Sequence, residues 1–167
     1  MFKEISAKEI NGNFIDMISR EWMLITAGNK QSYNMMTASW GFMGEIWGED
    51  SVSVFVRNTR YTMEFIDKCD YFSLSFYGDN KKIHKVCGSM SGRDVNKTEL
   101  TGLTPAFCEK APYFCEARLV FICKKQYIDT IKPECFTDKA PLKKWYNGDF
   151  HYNIIGKIEK VLIKNEL

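Results

Sequence analysis

Arg57, Asn58, Thr59, Arg60 and Thr62 crowd into one short segment, "RNTRYT". It lies between a run of alternating Ser, Val and Phe and a run with helical spacing. A helix start presents unpaired backbone N–H groups and the positive end of the helix dipole. Guanidinium, amide and hydroxyl groups beside such a start can hold a phosphate. The segment lacks the glycines and the Gly-Lys-Ser/Thr ending of a Walker A loop. The same residues would also suit a capped helix with solvated arginines. A second cluster, "GSMSGRDVNK" from Gly88 to Lys97, brings Ser91, Arg93 and Lys97 together on glycine-containing chain. It reads either as a loop closing over a phosphate or sugar chain, or as plain surface.

The third stretch is "SYNMMTASWGFMG", Ser32 to Gly44. Thr37, Ala38 and Ser39 are small, and Met35, Met36, Trp40, Phe42 and Met43 surround them. Small side chains let a ligand reach the backbone N–H and C=O groups. A planar heterocycle with donors and acceptors along one edge would fit there, with Trp40, Phe42 and Trp47 against its ring. The alternative is a bulged core strand at an aromatic corner. Taken together, a flat polar ring, a hydroxyl-rich spacer and a terminal phosphate describe a mononucleotide. No G-x-G-x-x-G occurs between a strand and a helix, which argues against a dinucleotide fold of the Rossmann type.

Six strand-like runs must position these clusters: 22–28, 33–40, 51–57, 71–77, 117–131 and 150–164. The first two could pair as a hairpin through "GNKQS", and Gly156 marks a bulge or bend in the last. Two helices are expected. One has Tyr61, Phe65, Ile66 and Cys69 at helical spacing, with Asn58 or Thr59 as N-cap. The other carries Ile83, Val86 and Cys87, with Asp79 or Asn80 as cap and Gly88 as its stop. His84 stands among lysines on that helix and is expected to face solvent. Residues 132–149 read as irregular chain that covers either the site or an interface. The fold class is mainly β, an antiparallel barrel with short flanking helices.

The chain has 167 residues, which suits a single domain over 1–167. Its net charge of +2 gives no field for nucleic acid, and no stretch is long and apolar enough to span a bilayer. The N-terminus is charged where a signal peptide is apolar, so a cytoplasmic protein is expected. Six cysteines with no C-x-x-C pair read as free thiols, mostly buried, and no Cys–His spacing suits a metal.

The run "NMMTASWGFMGEIW…SVSVFVRNTRYTMEFI", followed by "CGSMSGRDVNK" and "GDFHYNIIGKI", resembles the flavin reductase-like family close to flavoredoxin, from about residue 20 onward. The resemblance implies a six-stranded Greek-key split barrel that binds FMN and forms a homodimer, with the flavin near the subunit interface. It places Asn34, Thr37, Ala38, Ser39 and Trp40 along the isoalloxazine. Asn58, Thr59, Arg60 and Thr62 fall at the phosphate and ribityl chain, and Ser91, Arg93 and Lys97 in the closing loop. His151 follows Gly-Asp-Phe where many flavin reductases have Gly-Asp-His, and is the candidate nicotinamide contact. The implied activity is an oxidoreductase fed by NAD(P)H, or an electron carrier reduced by a partner protein.

Overall fold

The computed structural model describes residues 1–108 and 110–164. Strand β1 (Phe2–Ile5) precedes a short helix α1 (Phe14–Asp16), which continues as a π-helical turn over Met17–Glu21. Next come β2 (Met23–Gly28), β3 (Tyr33–Ala38), β4 (Gly41–Ile46), β5 (Glu49–Arg57), helix α2 (Tyr61–Lys68) and β6 (Tyr71–Phe76). Helices α3 (Lys81–Ser89) and α4 (Lys97–Thr101) lead to a small hairpin, β7 (Pro105–Phe107) and β8 (Pro112–Phe114). After these come β9 (Leu119–Thr130), α5 (Ala140–Trp145) and β10 (His151–Lys164).

The principal sheet is antiparallel, in the order β3-β2-β6-β9-β10-β5-β4, with β1 on β10. It has eight strands where six were expected; β1 and β4 are the additions. Strand β10 is its hub. It pairs with β5 from His151 to Lys157 and with β1 from Val161 to Lys164, while β9 runs along its other edge. The register with β9 breaks at Gly156, as its bulge signal implied. A Cβ there would lie 2.7 Å from the Phe72 ring, so glycine lets the bent strand pack on the core.

The two ends of the sheet, β3 and β4, are joined only by Ser39 and Trp40, and no hydrogen-bonded register links them. The sheet therefore curls on itself and stays open at this link. That is the split of a split barrel, and it falls at the small-residue stretch.

Strand β2 is buried along its whole length, which is why its sequence does not alternate. Met23, Ile25 and Ala27 join Val54, Phe72 and Phe121 in one core, while Leu24 joins Met35, Ile83, Phe114 and Val120 in a second. Burying each large side chain stabilises the fold by roughly 1.5–3 kcal/mol.

Several local expectations change. Arg60, not Asn58 or Thr59, is the N-cap of α2, and no side chain caps that helix. Asn80 is the N-cap of α3 but likewise makes no side-chain cap bond. Helix α3 runs through Gly88 and ends at Ser89. A Cβ at Gly88 would touch Thr37 at 3.4 Å, so this glycine permits close helix–strand packing instead of stopping the helix. His84 faces inward and is 2% exposed. Residues 132–149 are not wholly irregular, since they contain α5 and a 3-10 turn at Pro133–Cys135. All six cysteines are free. Only Cys87 and Cys123 are buried, and Cys115 and Cys135 are exposed.

Candidate functional site

Six of the expected residues, Asn34, Thr59, Arg60, Thr62, Ser91 and Lys97, line one cavity of about 130 Å³. It lies where the start of α2 faces the chain following α3, over strand β3. Because α2 has no side-chain cap, the N–H groups of Tyr61 and Thr62 in its first turn remain available to an anion, while that of Met63 donates to the Arg60 carbonyl at 2.9 Å. Two of the six are wall. Thr62 is fully buried, and its hydroxyl accepts a 2.8 Å hydrogen bond from Asn34 Nδ2, tying α2 to β3. Lys97 is 5% exposed, and its ammonium donates to the carbonyls of Met35 (2.8 Å) and Cys87 (3.2 Å). Burial lowers its pKa and the nearby Arg60 lowers it further, although Cys87 opposes this. A cation held among carbonyls, with a guanidinium adding to the same field, favours a bound anion.

Two expected residues lie elsewhere. Asn58 sits in the turn before α2, outside the cavity lining. Arg93 lines a neighbouring groove, where its guanidinium bonds Glu64 and lies 4.6 Å from the centroid of the Tyr61 ring.

The four residues at the split divide by role. Ala38 is core. The Thr37 hydroxyl donates to the His84 carbonyl at 3.1 Å. Its single proton is then used, so the 3.1 Å contact with His84 Nδ1 requires Nδ1–H to donate to Thr37. The buried Nε2 has no partner among the described residues. Burial, with Lys81 adding, lowers the His84 pKa to about 4. Unfolded histidine titrates near 6.5. The unfolded chain therefore binds more protons between these values. The stability contributed is complete above 6.5 and is lost as pH falls through about 4. Between pH 7 and pH 5 the loss is about 2 kcal/mol. A His84→Gln variant is expected to lose correspondingly less over that interval in urea unfolding. Identical acid sensitivity of the two proteins would contradict this.

Ser39 and Trp40 line an apolar cleft of about 600 Å³ together with Phe14, Ile18, Phe42 and Phe55. Trp40 is the centre of an aromatic wall. Its ring lies 4.7 Å from His151 and 5.3 Å, edge-on, from Trp145. The sequence left Trp145 without a role, and α5 brings it here. Arg57 fixes this wall to the barrel by donating to the carbonyls of Asp149 (2.8 Å) and Trp145 (3.0 Å). Thr59 donates to the Asp149 carboxylate at 3.1 Å, linking the wall to the cavity. Arg57 is thus a tether more than a free phosphate ligand. His151 opens β10 opposite Arg57. Burial, followed by the Arg57 charge, lowers its pKa to about 4, so its imidazole is neutral at pH 7. No group of three or more His, Cys, Asp or Glu among the described residues could hold a metal ion. No helix there is long and apolar enough to cross a membrane.

An antiparallel barrel split beside an uncapped helix start and a buried lysine belongs to the split-barrel class. The chain belongs to the flavin reductase like domain family, whose model matches residues 16–167. No curated protein matches it. Among solved structures, a flavoredoxin from Methanosarcina acetivorans is similar at 23% identity and TM-score 0.67, covering 87% of this chain and 69% of that one. The FMN-binding domain of a flavin reductases-like enzyme from Shewanella baltica has TM-score 0.70 at 15% identity, covering 98% and 77%. An NADH:FAD oxidoreductase from Streptomyces globisporus has TM-score 0.64 at 14% identity, covering 86% and 75%.

Proposed function

We propose that residues 1–167 form one flavoprotein domain that binds FMN and acts as an NAD(P)H-dependent oxidoreductase. The observation that carries this reading is the cavity gathering Thr59, Arg60, Ser91 and Lys97 at the uncapped start of α2, beside the split. When bound, the flavin supplies the chemistry of accepting a hydride from a reduced nicotinamide and passing electrons on.

The protein's part is binding and orientation. Arg60, the Tyr61 and Thr62 amides of α2, the Ser91 hydroxyl and the Lys97 ammonium would hold the phosphate. The backbone from Thr37 to Ser39 offers donors to the pyrimidine edge, where negative charge builds on reduction. Trp40 screens the ring from water. His151, neutral within the aromatic wall, offers an imidazole to orient the nicotinamide without adding charge. Hydride transfer needs close, aligned rings more than an acid or a base. The terminal strand β4 exposes Phe42 and Ile46, and the Trp47 that follows is also exposed, an apolar edge that suits a second copy in a homodimer.

The runner-up, an electron carrier reduced by a partner protein, uses the same cavity and differs in its donor. Anaerobic mixing of the FMN-loaded protein with NADH or NADPH separates the two. Loss of the flavin's visible absorbance within minutes is expected with at least one of them. An unchanged spectrum with both would sink the reductase reading.

A further inference from the structure

Strand β3 ends the principal sheet, pairing with β2 along one edge and leaving the other edge free. The Asn29 N–H donates to the Ser32 carbonyl at 2.8 Å and closes the turn between the two strands. From that pair the ladder alternates. Asn34, Met36 and Ala38 bond to β2, while Tyr33, Met35 and Thr37 direct their backbone groups to the free edge. The Met35 carbonyl on that edge is taken by Lys97. Thr37 is the last of the three before the split. It stands between Met36, which lines the cavity at the start of α2, and Ser39, which lines the apolar cleft. A strand advances about 3.3 Å per residue, so a ring reaching from the cavity to the cleft passes the Thr37 backbone.

A free edge has no neighbouring strand to hold it, and at Thr37 that work falls to His84. The Thr37 hydroxyl donates to the His84 carbonyl and accepts from His84 Nδ1–H, each at 3.1 Å. Two bonds to one residue fix the hydroxyl, and with it the Thr37 side chain, against α3. The missing side chain of Gly88 lets the helix come this close. The imidazole itself is wedged edge-on between the rings of Trp22 (5.8 Å) and Tyr77 (6.1 Å). Its buried Nε2 has no hydrogen-bond partner among the described residues, which costs stability. A phenylalanine would fill the same space without that cost. The bond to Thr37 is what it could not make.

We infer that His84, which touches no part of the cavity or the cleft, is a positioning residue: it clamps Thr37 so that the free-edge backbone there meets the pyrimidine edge of the flavin. This rests on the flavin reading of the cavity. The test loads the full chain with FMN and measures both its affinity and the midpoint potential of the bound flavin. His84→Leu removes the Nδ1 donor and keeps an apolar filling; Thr37→Val removes the hydroxyl and keeps the backbone. Each is expected to weaken FMN binding about three- to tenfold, the worth of one neutral hydrogen bond. Reduced FMN, whose pyrimidine edge carries more negative charge, is expected to lose about five- to tenfold more affinity than oxidised FMN. For a two-electron couple that is a midpoint about 20–30 mV more negative. His84→Asn places an amide nitrogen as many bonds from Cα as Nδ1, and is expected to restore the parental midpoint. The double variant His84→Leu/Thr37→Val is expected to shift the midpoint no further than either single change, since both break one clamp. A residue that served packing alone would lower stability and leave the midpoint in place. A parental midpoint in His84→Leu or in Thr37→Val, or a His84→Asn protein that behaves like His84→Leu, would overturn the inference and leave the flavin site standing. Failure of the parent protein to bind FMN would overturn the cavity reading with it.

Discussion

An Arg60→Ala protein is expected to bind FMN about ten- to a hundredfold more weakly while its thermal midpoint stays within about 2 °C of the parent. Arg60 is exposed, lines the cavity proposed for the phosphate and stands at the N-cap of α2 without a side-chain cap bond. Nothing in the core leans on it, so stability is spared. A charge-assisted hydrogen bond to phosphate is worth about 1.5–3 kcal/mol, and each 1.4 kcal/mol is tenfold in affinity. Arg93→Ala is the internal contrast. Its guanidinium faces the groove and is engaged with Glu64, so FMN affinity should move by less than about threefold, below 1 kcal/mol. Fluorescence titration and a melting curve on each variant decide the matter. An Arg60→Ala protein with unchanged affinity would remove the phosphate from this cavity.

Lys97→Met is expected to damage both properties. The ammonium satisfies the carbonyls of Met35, on the end strand β3, and of Cys87, on α3. Losing that donor costs about 1–3 kcal/mol for each carbonyl left unpaired. Relief from burying a cation offsets part of this, and a net loss of about 2 kcal/mol is expected. FMN affinity should also fall by more than about tenfold, because the buried charge next to Arg60 is removed. Urea unfolding measures the first effect and flavin titration of the folded variant the second. A folded Lys97→Met protein with parental affinity would reduce Lys97 to a purely structural clamp.

The contrast between Arg60 and Lys97 marks the limit of what the sequence disclosed. Both read as surface cations near a phosphate, and only the fold separates the free one from the buried one. Lys97 is inside because two backbone carbonyls accept from it, and such acceptors leave no trace in residue type. His84 had a readable signal. It lies three residues before Cys87 and beside Ile83 on the buried face of α3, and the flanking lysines at 81, 82 and 85 masked that spacing. The six runs with alternation or unbroken apolar character became β2, β3, β5, β6, β9 and β10. Strand β4 escaped because Gly41, Gly44 and Glu45 dilute its pattern. Its turn, Trp47–Gly48, has φ values of 58° and 73°, a left-handed pair usually announced by Asn-Gly or Asp-Gly. Strands β7 and β8, three residues each and both opened by proline, carry too little pattern to register. Trp145 reaches Trp40 through the Arg57 tether, a long-range contact that no periodicity encodes.

We propose that the cavity at the start of α2 anchors a flavin by its phosphate. Gel filtration of the protein after incubation with excess FMN, read by visible absorbance across the protein peak, tests it most directly. Flavin bands are expected to travel with the protein in near-equimolar amount. A protein peak that emerges colourless from saturating FMN would contradict it, and would mean that this split barrel puts its cavity to another use.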